Sequence, residues 1–220
     1  MSQRFSRVKI PAGRARFKTK LFVFYIAYRD TQYLVTNQAM ISHKGMRPQD
    51  VVVVLKLISL KSLLQSDKGA YIRQTAQTHL AVALGLSQSE ISGSLQRSRI
   101  VRLVGEDKRE VYQQNFLDFL FYGLRYVFPA EPGPLVVGMP TAHSAEPLRS
   151  LIVSQELYVW PDPQGSERGQ AIEPLYNKVP YAARQDERLY ELLALTDALR
   201  VGRAREIKLA QQKMKDYIYA

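Results

Sequence analysis

The sequence predicts a mainly α fold with one small β-hairpin, continued by a helical C-terminal region with long loops. Three observations predict it. Apolar residues recur at helical spacing from Val51 onward. A glycine and a capping serine, Gly85 and Ser87, cut that pattern into separate helices. A short β-branched run, RIVRLV at 99–104, is followed by GEDKRE at 105–110 and a second short run, VYQQ at 111–114.

Composition bounds the rest. A chain of 220 residues is long enough for one large domain or two small ones. It contains no cysteine, which excludes disulfides, thiolate catalysis and cysteine-based zinc sites. That usage fits a reducing compartment, and a cytoplasmic protein is the expectation. The three histidines, His43, His79 and His143, are far apart in sequence and read as surface or cap residues. No cofactor or metal is expected.

The net charge of +11 is unevenly spread. Residues 1–45 hold nine Lys and Arg against the single acid Asp30, and the other 175 residues carry 22 basic and 19 acidic groups. The apolar run LFVFYIAY at 21–28 is eight residues long. A membrane span needs about 20, and no small-residue cleavage site follows as in a signal peptide. The run reads as a short strand, and no membrane association is expected. Residues 1–45 are read as an appended extension, with Met46 starting the functional unit. The rival reading is a basic arm that tracks phosphates.

From residue 46 the order of elements is clearer. Pro48 and Asp50 suit a first helical turn. Val51, Val54, Leu55, Ile58 and Leu63 keep helical spacing, so 48–65 reads as one largely buried helix. Four consecutive valines favour a strand by propensity, but length and the continuing pattern favour the helix. QSDKGAY at 65–71 reads as a turn around Gly69, and 72–84 as a second helix ended by Gly85.

Ser87 and Glu90 form the S-x-x-E capping box that starts the next helix. Within that helix Ile91 and Leu95 share a face, and Leu80, Leu84 and Leu86 offer the matching apolar surface. Ala81 is small where two helices cross, and Gly85 permits the sharp turn between them. This is the pattern of a helix-turn-helix. Ser94 departs from it, standing where an apolar residue often packs. The opposite face carries Gln88, Ser89, Ser92, Gly93 and Gln96, with Ser87 at its start. Glutamine bonds adenine bidentately, and serine reaches base edges or phosphate. Gly93 is read as letting the backbone approach the groove. Arg97, Arg99 and Arg102 follow, placed for flanking phosphates. A solvated face would more often carry Glu and Lys, which favour helix. The 99–114 hairpin would lay Lys108 and Arg109 on the DNA backbone, although Glu106 and Asp107 weaken its field. A helix continuing into residue 102 is the alternative.

LAVALGLSQSEISGSLQRS, with the hairpin after it, resembles the winged helix-turn-helix domains of bacterial transcriptional regulators, MarR-like in the broad sense. The resemblance covers 46–114. It implies that Ser87, Gln88, Ser89, Ser92 and Gln96 face bases and that Lys108 and Arg109 are wing contacts. It also implies double-stranded DNA as partner, and two-fold symmetric half-sites imply a homodimer. The longer, proline-rich second half departs from that family.

Residues 115–220 read as a dimerisation or partner-binding region. NFLDFLFYGLRYVF at 115–128 is an apolar helix stopped by Pro129. Residues 129–148 and 158–180 read as loops, the first with five prolines and two glycines. Residues 186–218 keep a helical stripe, Leu189, Leu192, Leu193, Thr196 and Leu199, that resumes at Ile207, Ala210, Met214 and Ile218. Gly202 marks a kink, and the last helix is expected to pack on 115–128. Arg200, Arg203, Arg205 and Lys208 read equally as a solvated face or one turned to DNA or a partner.

The chain has no Walker-type phosphate loop, no G-x-G-x-x-G, no H-E-x-x-H and no G-x-S-x-G. His143, Ser144 and Glu146 are neighbours on one loop, which does not make a triad. The expectation is a DNA-binding regulator and not an enzyme. The alternative is an antitoxin-like or other protein-binding module whose C-terminal half holds a partner.

Overall fold

Helix α1 (Pro48–Ser59) has every residue from Asp50 to Ser59 buried. The computed structural model describes residues 45–219; the readings of residues 1–44, as extension, strand or arm, lie outside them. A helix that is apolar all round must be enclosed on all sides. That enclosure overrides the strand propensity of Val51–Val54, which pack on every face.

The single helix expected over 48–65 is two. Leu60 (φ −82°, ψ −8°) turns the chain out of α1 into α2 (Lys61–Ser66), which buries no residue. The turn expected at 65–71 shrinks to Asp67, whose side chain accepts from Ala70 N at 2.9 Å and starts α3 (Lys68–Gln74). Gly69 therefore sits inside a helix. The helix expected over 72–84 is also divided. The Thr75 hydroxyl donates to Tyr71 O at 2.8 Å where α3 ends, and α4 (Gln77–Leu84) starts after Ala76. A hydroxyl bonding back to the chain competes with the helical ladder.

Helix α5 (Gln88–Ile100) runs through the first residues of the run expected as a strand, 99–104. Arg102 then reverses the chain at φ 57°. The hairpin is reduced to one antiparallel bridge, Val104 to Val111. Two backbone bonds flank it, Gly105 N to Glu110 O (2.8 Å) and Tyr112 N to Leu103 O (2.9 Å). The expected return strand 111–114 stops there because α6 (Gln113–Asp118) begins. A π-helical turn (Phe119–Gly123) and α7 (Leu124–Val127) complete the predicted apolar helix before Pro129.

The two stretches read as loops contain a three-stranded sheet. Strand β1 (Leu135–Pro140) pairs antiparallel with β2 (Tyr158–Pro161) through its C-terminal half and with β3 (Glu167–Ala171) through its N-terminal half. Strands β2 and β3 are parallel. Glycine admits the tight crossings. A Cβ on Gly138 would lie 2.1 Å from Trp160 O, and one on Gly169 2.5 Å from Leu157 O. Pro140 and Pro161 fall at strand ends, where proline is tolerated.

Helices α8 (Val179–Gln185), α9 (Glu187–Val201) and α10 (Ala204–Tyr219) close the fold. Gly202 ends α9 outright: a Cβ there would meet Ala198 O at 2.3 Å. Ala210, Met214 and Ile218 are the buried stripe of α10, as the sequence predicts, and α10 packs on α9 and α6. Arg200, read among the surface cations, is instead buried. It donates to Asp197 Oδ1 (2.7 Å) and to the carbonyls of Phe128 (2.9 Å) and Glu173 (3.0 Å). Asp197 Oδ2 accepts from Thr141 (2.9 Å) and Trp160 Nε1 (2.6 Å), so one satisfied polar hub ties α9 to the sheet.

Residues 45–219 fall within one unit. Helix α1, from the region expected as the DNA-binding domain, packs directly on α9 from the C-terminal region. Lys56 Nζ meets Asp186 Oδ2 at 2.7 Å across that contact. Among the described residues no helix is long and apolar enough to cross a membrane.

Candidate nucleic-acid interface

Leu80, Ala81 and Leu84 of α4 and Ile91 and Leu95 of α5 are buried in one core. Between the helices Gly85 adopts φ 62°, ψ 33°, the left-handed conformation that ends α4. Ser87 then caps α5. Its Oγ accepts from Glu90 N at 3.2 Å, and Glu90 Oε2 accepts from Ser87 N at 2.9 Å and from Ser87 Oγ at 2.7 Å. The backbone and hydroxyl bonds from Ser87 hold the Glu90 carboxyl below the usual range. The capping box therefore forms as its spacing predicts.

The side of α5 away from the core is short and polar. Gln88 and Ser89 are exposed, and Ser92, Gly93 and Gln96 are half-exposed. Ser94 and Ser98 lie on the opposite side, fully buried, and their hydroxyl oxygens have no hydrogen-bond partner. Their small volume suits the face of α5 that packs along α1. Ser87, expected to face bases, has its hydroxyl engaged in the cap.

The expected phosphate contacts divide. Arg97 is taken by Asp50: Nε to Oδ2 is 2.7 Å and Nη2 to Oδ1 is 2.6 Å. Asp50 is 0 % exposed and Arg97 15 %. The Asp50 bonds raise the guanidinium pKa against an opposing desolvation. This pair joins α5 to the start of α1, so Arg97 does not serve as a free phosphate ligand. Gly93 follows from it. A Cβ at 93 would stand 3.1 Å from Arg97 Nη1, so the glycine leaves room for that side chain.

Arg99 reaches Glu106 at 2.6 Å, with Glu106 85 % exposed. Such a surface pair is worth about 0–1 kcal/mol, so Arg99 stays available to a stronger anion. Arg102 is exposed, and its carbonyl accepts from Asn115 Nδ2 at 2.8 Å. Lys108 (φ 59°) and Arg109 are half-buried at the hairpin tip. The Tyr71 hydroxyl pins that tip to α3 by donating to Arg109 O at 3.0 Å. An open groove of about 720 Å³ lies at the hairpin base, with Arg99 and Arg102 facing Glu106 and Glu110. Its mixed charges give no field of one sign.

Sequence reading missed a third partner of the turn. The segment leading into α8 lies over it. Tyr176 donates to Leu84 O at 2.6 Å and Tyr181 to Val82 O at 3.3 Å. Burial pushes the Tyr176 hydroxyl pKa up, keeping it a donor. No local signal predicts this contact, because about 90 residues separate its two sides in sequence.

Two of the neighbours on the loop after β1 make structural bonds, and His143, expected at the surface or as a cap, is buried. Ser144 Oγ accepts from Tyr158 N at 2.8 Å, and His143 Nε2 meets Glu156 O at 2.8 Å. Both fasten the loop after β1 to the chain entering β2. Among the described residues no group of three or more His, Cys, Asp or Glu is placed to hold a metal ion.

Comparison of the chain with protein-family models, with curated proteins and with solved structures found no match.

Proposed function

We propose that this protein is a sequence-specific DNA-binding transcriptional regulator that places α5 in the major groove. The observation carrying this reading is the uncharged face of exposed Gln88 and Ser89 and half-exposed Ser92 and Gln96, on a capped helix that the left-handed Gly85 turn sets against α4. Amides and hydroxyls of that reach suit base edges. The element order α3, α4, α5 and a one-bridge hairpin is compatible with a winged helix-turn-helix of MarR-like type with a much shortened wing. Gln88, Ser89, Ser92 and Gln96 are the proposed base readers. Arg99, Arg102, Lys108 and Arg109 are the proposed backbone contacts of the hairpin side. A homodimer reading two half-sites fits this use.

Selection of bound sites from random duplexes tests it, with Gln88→Ala and Gln96→Ala alongside wild type. The expected result is an enriched motif whose specific positions relax in the variants. Failure to enrich any motif, with weak duplex binding at moderate salt, overturns it.

One observation favours a second reading, a protein-binding module of antitoxin-like type. Tyr122 and Tyr126 are 72 % and 78 % exposed, one turn apart, and Val127 is exposed beside them. In that reading the aromatic face binds a protein partner, and its loss in Tyr122→Ser/Tyr126→Ser abolishes a complex while leaving duplex binding intact.

A further inference from the structure

The proposed reading face carries a shortage of charge. Between Gln88 and Gln96 the exposed side of α5 has no cation, Arg97 is bound to Asp50, and the available Arg99 stands at the far, C-terminal end of the helix. Affinity for a duplex comes largely from neutralised phosphates. Cations at the start of α5 must therefore come from other parts of the chain.

Two flank the helix. Lys178 precedes α8, and its stem rests on the turn: a Cβ built on Gly85 would meet Lys178 Cγ at 3.4 Å. Gly85 is two residues before the Ser87 cap. Lys178 is exposed, and no ion pair engages it among the described residues. The bonds of Tyr176 and Tyr181 to Leu84 and Val82 hold its segment to the turn, so its position is set with that of α5. Arg47 precedes α1. Its backbone N–H donates to Asp50 Oδ2 at 2.8 Å, on the carboxylate that also grips Arg97 of α5. Arg47 is likewise exposed and in no ion pair among the described residues.

We infer that Lys178 and Arg47 are phosphate contacts that flank α5 on a DNA duplex, Lys178 being supplied by the C-terminal half and seated at the turn before α5. The inference rests on the DNA-binding reading. It gives the α8 segment a role outside the helix-turn-helix: it props the turn and carries a charge to the backbone beside it. Such contacts position the protein and carry no sequence information.

Fluorescence anisotropy on the selected duplex and on a scrambled one, over a series of salt concentrations, tests it in the full chain. Lys178→Gln should weaken both duplexes alike, roughly 3- to 10-fold, and reduce the slope of log K against log salt by about one. Lys178→Gln/Arg47→Gln should reduce the slope by about two, and Lys178→Arg should restore the wild-type slope. The selected motif should not change, in contrast to Gln96→Ala. Unaltered thermal unfolding of Lys178→Gln separates loss of contact from loss of fold. Wild type that fails to bind either duplex overturns the DNA reading itself. Wild type that binds, with an unchanged slope in both glutamine variants, overturns only this inference.

Discussion

Asp50 illustrates how much a single residue decides. It stands in the first turn of α1, where an acid suits the helix dipole, and the sequence supports no more than that. In the fold its carboxylate is fully buried and takes both forks of Arg97. Removing one partner of such a pair leaves an unmatched buried charge, which costs about 3–5 kcal/mol. Asp50→Ala should therefore lose stability on that scale in urea unfolding, and Asp50→Ala/Arg97→Ala should lose less than the sum of the singles. Asp186 decides a pH response. Burial raises its pKa, but bonds from Lys56, Ser59 and Leu189 N outweigh that and hold the carboxyl below its usual value. A depressed folded value means the stabilisation is complete above the unfolded pKa of about 3.9 and lost as pH falls through the lower folded one. The thermal midpoint should drop on acidification below about pH 4, and Asp186→Asn should flatten that drop while lowering stability at neutral pH.

At the scale of elements, local signals were legible wherever the physics is local. The Ser87–Glu90 box and the left-handed Gly85 need only neighbouring atoms, and both form as the spacing predicts. Ser87→Ala should cost about 1 kcal/mol, measured by urea unfolding. Helix ends without such signals were misplaced. Leu60 and Thr75 look like helix interior in sequence, yet each lies at a break. The sheet was not legible at all. Its strands are short, β1 and β2 end in proline, and 17 residues separate β1 from β2 along the chain. Its glycines look like loop residues until the crossing backbone is in view. Gly169→Val should prevent the sheet from closing on Leu157, seen as lost Trp160 fluorescence shift and a lowered melting temperature. Normal stability in that variant would contradict the close approach.

At the scale of the whole molecule, the halves expected as 46–114 and 115–220 share α1 as a common core element. Lys56–Asp186, Tyr176–Leu84 and the packing of α1 on α9 all cross the expected boundary. Elements that share one core unfold together. Trp160 is the only tryptophan and sits in the sheet, so its fluorescence reports the second half, whereas helical circular dichroism reports both. The two transitions should coincide in urea. Separated transitions would mean that the halves are independent. The same sharing gives regulation a physical route in the proposed function, because whatever moves α8 or α9 moves the turn before α5.

The sequence by itself determined the helical class, the turn at Gly85, the start of α5 and the polar character of its outer face. Each of these follows from interactions within a few residues along the chain. The tertiary structure alone decided which charges are free. Arg97 reads as a surface cation until Asp50 is brought beside it from 47 residues away, and Arg200 until the carbonyls of Phe128 and Glu173 close on it from 72 and 27 residues away. Lys178 reads as part of a loop until α8 folds onto the turn. The reason is that a long charged side chain takes its role from the nearest opposite charge in space. That neighbour is set by the packing of whole helices and not by the local sequence.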